Sequence, residues 1–93
     1  MTITVLIPTP LRNLTGDRDT VEAAGSTIGE ILDDLESKHP GIGERLCDET
    51  GEIRRFVNVY LNQEDIRFID GKNTAVADGD EISIVPAIAG GSK

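Results

Sequence analysis

One helical stripe sits between segments that alternate at period two, and that contrast of periods leaves few folds open. Ile28, Ile31, Leu32 and Leu35 recur at the i, i+3, i+4, i+7 spacing of a helix face, with Glu30, Asp33, Asp34 and Glu36 on the opposite side as a solvated acidic face. The run Ser26-Thr27-Ile28-Gly29-Glu30 opens this helix, because a Thr cap with Glu three residues later can satisfy orphan backbone donors reciprocally. Lys38 and His39 fall in the last turn, where positive charge suits the helix dipole, and Pro40-Gly41 stop it. His39 is read as part of this terminus and not as a general base, since acid–base or nucleophilic catalysis needs a second partner that the pattern does not supply.

The flanking segments read as strands. Thr2 to Ile7 turns Ile3, Val5 and Ile7 to one face and ends at Pro8-Thr9-Pro10. Leu11 to Asp17 is expected to be a turn in which Gly16 takes a positive φ and Leu11 and Leu14 plug the core, and Asp19 to Ala24 closes an opening hairpin. From Ile42 to Arg55 the chain reads as a long polar connection anchored by Ile42 and Leu46, with Asp48-Glu49-Thr50-Gly51-Glu52 at its tip. Phe56 to Asn62 carries the strongest strand pattern, and its expected place is beside the first strand. Asn62 to Asp65 then turns the chain, Ile66-Arg67-Phe68 reads as a short strand, and Asp70-Gly71-Lys72 turns it again. Asp78-Gly79-Asp80 is a tight turn; it lacks the further oxygen ligands and distal Glu of a calcium loop. Glu81 to Val85 is the final strand, with Ile82 and Ile84 on one face and Val85 on the other. The predicted class is α+β, a mixed sheet of four or five strands with one main helix packed across one face, which is the β-grasp arrangement of ubiquitin. The domain spans residues 1–86, and a flexible tail occupies 87–93.

Composition limits what such a domain can do. At 93 residues it forms one small core with no room for an internal catalytic cleft. Nine basic against seventeen acidic residues give a net charge of −8, which argues against nucleic acid as a partner. The apolar run Ile3 to Ile7 has no positive flank and stops at Pro8, so neither a signal peptide nor a membrane span is read there, and the expected location is cytoplasmic. The single cysteine, Cys47, excludes an internal disulfide and an iron–sulfur cluster, has no neighbours at metal spacing, and is expected half-buried in a loop. No metal-binding or catalytic residue is assigned.

After the last strand the side chains shrink, through Pro86-Ala87-Ile88-Ala89 to Gly90-Gly91, with Ser92-Lys93 beyond. Glycines without a Cβ can enter a slot too narrow for other residues. Fully extended, the steps from Val85 to Gly91 span roughly 20 Å, enough to reach a partner's buried site from outside. A Gly-Gly alone reads first as a frayed end, which is what most chain termini are.

An ordered set of segments decides between these readings. Ile7-Pro8-Thr9-Pro10-Leu11-Arg12, Thr15-Gly16, the run Phe56 to Phe68, Ala77-Asp78-Gly79-Asp80 and Pro86 to Gly91 together resemble the ThiS/MoaD sulfur carriers, ubiquitin-like proteins ending in Gly-Gly, and most of all those that feed cysteine formation. The resemblance implies a protein cosubstrate and not an enzyme. An E1-like adenylyltransferase and sulfurtransferase, using ATP and magnesium, would adenylate the carboxylate of Gly91, and sulfur would then displace AMP to give a thiocarboxylate. The acceptor implied is a pyridoxal-phosphate-dependent cysteine synthase, with molybdopterin, thiamin or other routes sharing the same carrier design. Gly90 would give clearance in the partner's slot, and Pro86, Ala87, Ile88 and Ala89 would line the contact. By analogy the activating enzyme would meet the exposed sheet face, at Phe56, Asn58, Tyr60 and Phe68.

The sequence departs from the family at one point. Ser92 and Lys93 come after Gly91, so its carboxylate is locked in a peptide bond and cannot be adenylated as it stands. Removal of the pair by a zinc-dependent JAMM-type metalloprotease, cutting between Gly91 and Ser92, is the leading expectation, with a cloning scar as the alternative. Two other functions compete: a ubiquitin-like modifier joined to other proteins through Gly91, and a plain interaction module.

Overall fold

The structure is a computed structural model that describes residues 2–86. The expectations for Ala87, Ile88, Ala89, Gly90, Gly91, Ser92 and Lys93 lie outside the described residues. Five strands, β1 (Thr2–Leu6), β2 (Thr20–Ala24), β3 (Val57–Leu61), β4 (Glu64–Asp65) and β5 (Glu81–Pro86), form one sheet in the order β2-β1-β5-β3-β4. β1 and β5 run parallel and the other neighbours antiparallel, so the sheet is mixed. Helix α1 (Ile28–Lys38) lies across one face.

α1 forms where its caps dictate. Thr27 Oγ1 accepts from the Glu30 N–H at 3.2 Å, and Glu30 Oε1 accepts from the Ser26 N–H at 2.7 Å, so the return bond lands one residue before the cap. At the other end the N–H of His39 donates to Leu35 O at 2.7 Å. Ile28, Ile31, Leu32 and Leu35 are all buried and pack with Ile3, Val5, Val59, Ile82 and Ile84 of the sheet. Each such side chain contributes about 1.5–3 kcal/mol on leaving water, so this layer supplies the main cohesion of the domain. Leu11 is buried and Leu14 packs against the core, as plugs should. Asp34 accepts from the Ala24 N–H at 2.8 Å and pairs with Lys38 at 2.9 Å, pinning the helix to the edge strand β2.

The structure corrects four expectations. β3 does not lie beside β1; β5 is inserted between them, pairing Val59 with Ile84 and Val5 with Ile82. Both flanks of β5 are thus covered by strands, which suits its buried Ile82 and Ile84. Ile66–Phe68 is a 3-10 turn and not a strand. Asn62 and Gln63 both take positive φ, 50° and 77°, making a two-residue hairpin turn that returns as the brief β4. Asp65 then accepts from the Arg67 N–H at 2.9 Å, which bends the backbone out of the ladder. The connection from Ile42 holds a short helix, α2 (Ile42–Leu46), whose first and last residues are the two anchors. Glu36 fixes it by accepting from the N–H groups of Gly41 at 3.2 Å and Gly43 at 2.7 Å. Finally, Thr9–Leu14 coils as a 3-10 helix, where Thr9 and Pro10 were expected only to end the strand and the turn to begin at Leu11. The positive φ of Gly16 is present, at 65°.

Candidate functional site

The geometry of interest is the end of β5, where the chain leaves the sheet. In register, Pro86 lies opposite Val57 and Val85 opposite Asn58, so the exit point is fixed beside the start of β3. β1 pairs with the first half of β5, Glu81 to Ser83, whereas β3 pairs with it as far as Pro86, so β3 alone fixes the exit. Phe56 and Pro86 share a cavity of about 160 Å³ at this exit, floored by Leu11, Val57 and Ile84.

Asn58 and Tyr60 point to the face of the sheet away from α1, across from Val85 and Ser83. Both are half-buried, while Phe56 is 63% and Phe68 85% exposed, and Val85 is 43% exposed. Arg67 ties this region together: its guanidinium donates to Asn58 Oδ1 and to Val57 O at 3.4 Å, and lies 3.7 Å from Asp65. Phe68 sits on the 3-10 turn next to Arg67, beside β3 by way of that residue and not as part of a strand. The structure therefore groups Asn58 and Tyr60 on one face, sets Phe56 at the exit, and puts Phe68 on the neighbouring turn.

The residues with chemical potential elsewhere are structural. Cys47 is half-buried, and burial pushes its thiol pKa up, with nearby Lys72 working in the opposite direction. Asp78 Oδ1 accepts from the Thr2 N–H at 3.1 Å. Asp80 accepts from Ala77 N–H at 2.8 Å and Asn62 Nδ2 at 3.1 Å, and Gly79 takes φ 90°, so this run is turn chemistry. Among the described residues no group of three or more His, Cys, Asp or Glu could hold a metal ion. No described helix is long and apolar enough to cross a membrane. Sequence reasoning missed the arginines around the exit, Arg45 and Arg54, because the segments that carry them read only as polar connection.

The sequence model of the ThiS family matches residues 5–91, almost the whole chain. The chain belongs to the ThiS family. Within it, the chain is 52% identical over 93 residues to the sulfur carrier protein CysO of Mycobacterium tuberculosis, covering 98% of this chain and all of that protein. The crystal structure of the Amycolatopsis orientalis BexX/CysO complex contains a chain that superposes with a TM-score of 0.90 at 53% identity, covering 96% of this chain and 99% of that one. A second branch is represented by small archaeal modifier protein 3 of Haloferax volcanii, 39% identical over 66 residues, or 71% of each chain. This ThiS-family chain is thus a CysO homologue with the ubiquitin-like β-grasp fold, of a kind that carries sulfur.

Proposed function

We propose that this ThiS-family protein carries sulfur as a thiocarboxylate on Gly91, formed after Ser92-Lys93 are removed, and that cysteine formation is the destination. The observation that carries the reading is the 52% identity to CysO over 98% of this chain, together with a family match over residues 5–91. A free carboxylate is a poor acyl donor. Its oxygen attacks the α-phosphorus of magnesium-bound ATP in an E1-like enzyme, pyrophosphate leaves, and an acyl-adenylate forms. Hydrosulfide delivered by that enzyme then attacks the Gly91 carbonyl, the carbon–oxygen bond to AMP breaks, AMP leaves, and loss of the sulfur-bound proton gives the thiocarboxylate.

The chain itself contributes presentation. Pairing of β5 with β3 fixes Pro86, and Ala87, Ile88, Ala89 and Gly90 offer little bulk to a narrow slot. Phe56, Asn58, Tyr60 and Phe68 supply the surface that meets the activating enzyme. A JAMM-type metalloprotease cuts between Gly91 and Ser92, switching the carrier on. A pyridoxal-phosphate-dependent cysteine synthase is the acceptor.

A second reading is favoured by the likeness to an archaeal modifier protein: the same adenylated Gly91 would be joined to lysines of other proteins. Incubating the trimmed chain with the E1-like enzyme, magnesium-ATP and a sulfur source separates the two. A mass gain of one sulfur-for-oxygen exchange supports the carrier. Ladders of heavier conjugates in lysate, with no such exchange, support the modifier.

A further inference from the structure

The chain carries seventeen acidic and nine basic residues, yet its basic residues are not spread evenly. Two neighbouring cavities, of about 230 and 160 Å³, share Arg54 and Val57. Arg45, Arg54, Arg55, Arg67 and Lys72 line them, five of the nine basic residues, against Glu52 as the one acid. The floor beneath is apolar, built from Val57, Val59 and Ile66 in one cavity and Leu11, Val57 and Ile84 in the other. These apolar residues belong to the side of the sheet that packs on the core, so the site meets the outer face of Asn58 and Tyr60 only at its rim, through Phe56 and Arg67.

The cations are held ready. Lys72 Nζ donates to Gly51 O at 2.6 Å and Arg54 Nε to Glu44 O at 2.9 Å, both uncharged partners, although Asp70 lies near Lys72 and Asp48 near Arg54, so the freest charge is that of Arg45 and Arg55. Arg67 alone of the five has a described carboxylate partner, Asp65 at 3.7 Å. Arg45 and Arg55 are exposed and form no ion pair among the described residues. Each cavity is smaller than the roughly 300–1,000 Å³ typical of cofactor and drug-sized ligand sites. A cavity of about 150 Å³ is, however, enough for a benzene-sized group. The sizes fit single side chains, not a nucleotide.

We propose that these paired cavities dock an acidic segment of a partner protein, with apolar side chains in the two pockets and carboxylates on the rim. Arginine forks match carboxylates bidentately, and Arg-rimmed apolar pockets are where interface energy concentrates. The chain's overall charge of −8 repels a long uniform polyanion, which leaves a short acidic stretch with apolar anchors as the complementary shape. This site goes beyond the sulfur-carrier reading and stands without it.

The test is methyl NMR and fluorescence anisotropy on the full chain with a labelled peptide alternating Asp or Glu with Phe and Leu. Binding is expected to move the methyl signals of Val57, Val59 and Ile66 while those of Val85 and Leu6 on the outer face stay put. Affinity should fall at least tenfold in Arg45→Glu/Arg55→Glu, whose unliganded methyl spectrum should match that of the parent, and should weaken with salt. Shifts centred on Val85 and Leu6, or unchanged affinity in the double variant, would overturn the proposal. So would equal binding by oligoglutamate without apolar residues, or displacement of the peptide by oligo(dT). Methyl shifts that depend on protein concentration alone would assign the cavities to a second copy. The same shifts produced by Ile88→Asp without peptide would assign them to the chain's own tail. Either result contradicts an acidic partner.

Discussion

At the residue scale, a few polar side chains and glycines hold this fold in shape, and their removal is measurable. Thr27→Ala deletes the α1 cap and should lower unfolding free energy by about 1 kcal/mol in urea titration. Gly25→Ala should cost more, about 1–3 kcal/mol by overpacking, because a Cβ there would lie 2.8 Å from Glu30 Cβ and 3.1 Å from helix backbone atoms. Asp34 and Asp48 both have pKa values held below the ordinary carboxylate range. For Asp34 the Ala24 N–H is the main cause and Lys38 the next; for Asp48 it is the hydroxyl and N–H of Thr50. A depressed folded pKa stabilises the native state above the unfolded value, and that contribution is lost as pH falls through the folded one. Urea midpoints should therefore drop on acidification below the ordinary aspartate pKa, and more shallowly in an Asp34→Asn/Asp48→Asn double variant. The cap at Thr27 and the positive φ at Gly16 were legible from residue type alone. The capture of Gly41 and Gly43 by Glu36 was not, since Glu36 read as one more charge on a solvated face.

At the element scale, the period of the apolar residues decided what could be read. α1, β1, β2, β3 and β5 each alternate or repeat cleanly and appear within a residue or two of their expected bounds. Strand order is a different matter, because pairing between distant segments leaves no local trace, and the insertion of β5 between β1 and β3 is a product of topology. Ile66–Phe68 read as a strand from composition, yet the turn at Asn62-Gln63 and the Asp65 cap leave it no partner for a ladder. α2 was hinted at by the four-residue spacing of Ile42 and Leu46, hidden within a polar run. Ile82, fully buried in the central strand, is the strictest test of the sheet. Ile82→Ala should cost about 2–5 kcal/mol, against a total stability of about 5–15 kcal/mol for such domains. Phe68→Ala, at 85% exposure, should change stability by less than about 0.5 kcal/mol, so any loss of activating-enzyme binding in that variant reports the surface and not the fold.

At the scale of the whole molecule, the proposed function makes the domain a mount for the residues beyond Pro86. The sequence exposed this design through its tapering tail and family segments, whereas the basic cavities beside the exit come together only on folding, from residues as far apart as Arg45 and Lys72. Deleting Gly91 should abolish sulfur transfer while leaving the urea midpoint unchanged, because the buried core of the described residues runs from Ile3 to Ile84. The most direct test is the intact mass of the protein isolated from its own cells growing on a sulfur source. A population ending at Gly91, with one oxygen replaced by sulfur at that residue, is the predicted result. A population ending only at Lys93, or ending at Gly91 with both carboxylate oxygens retained under every growth condition, would contradict the account.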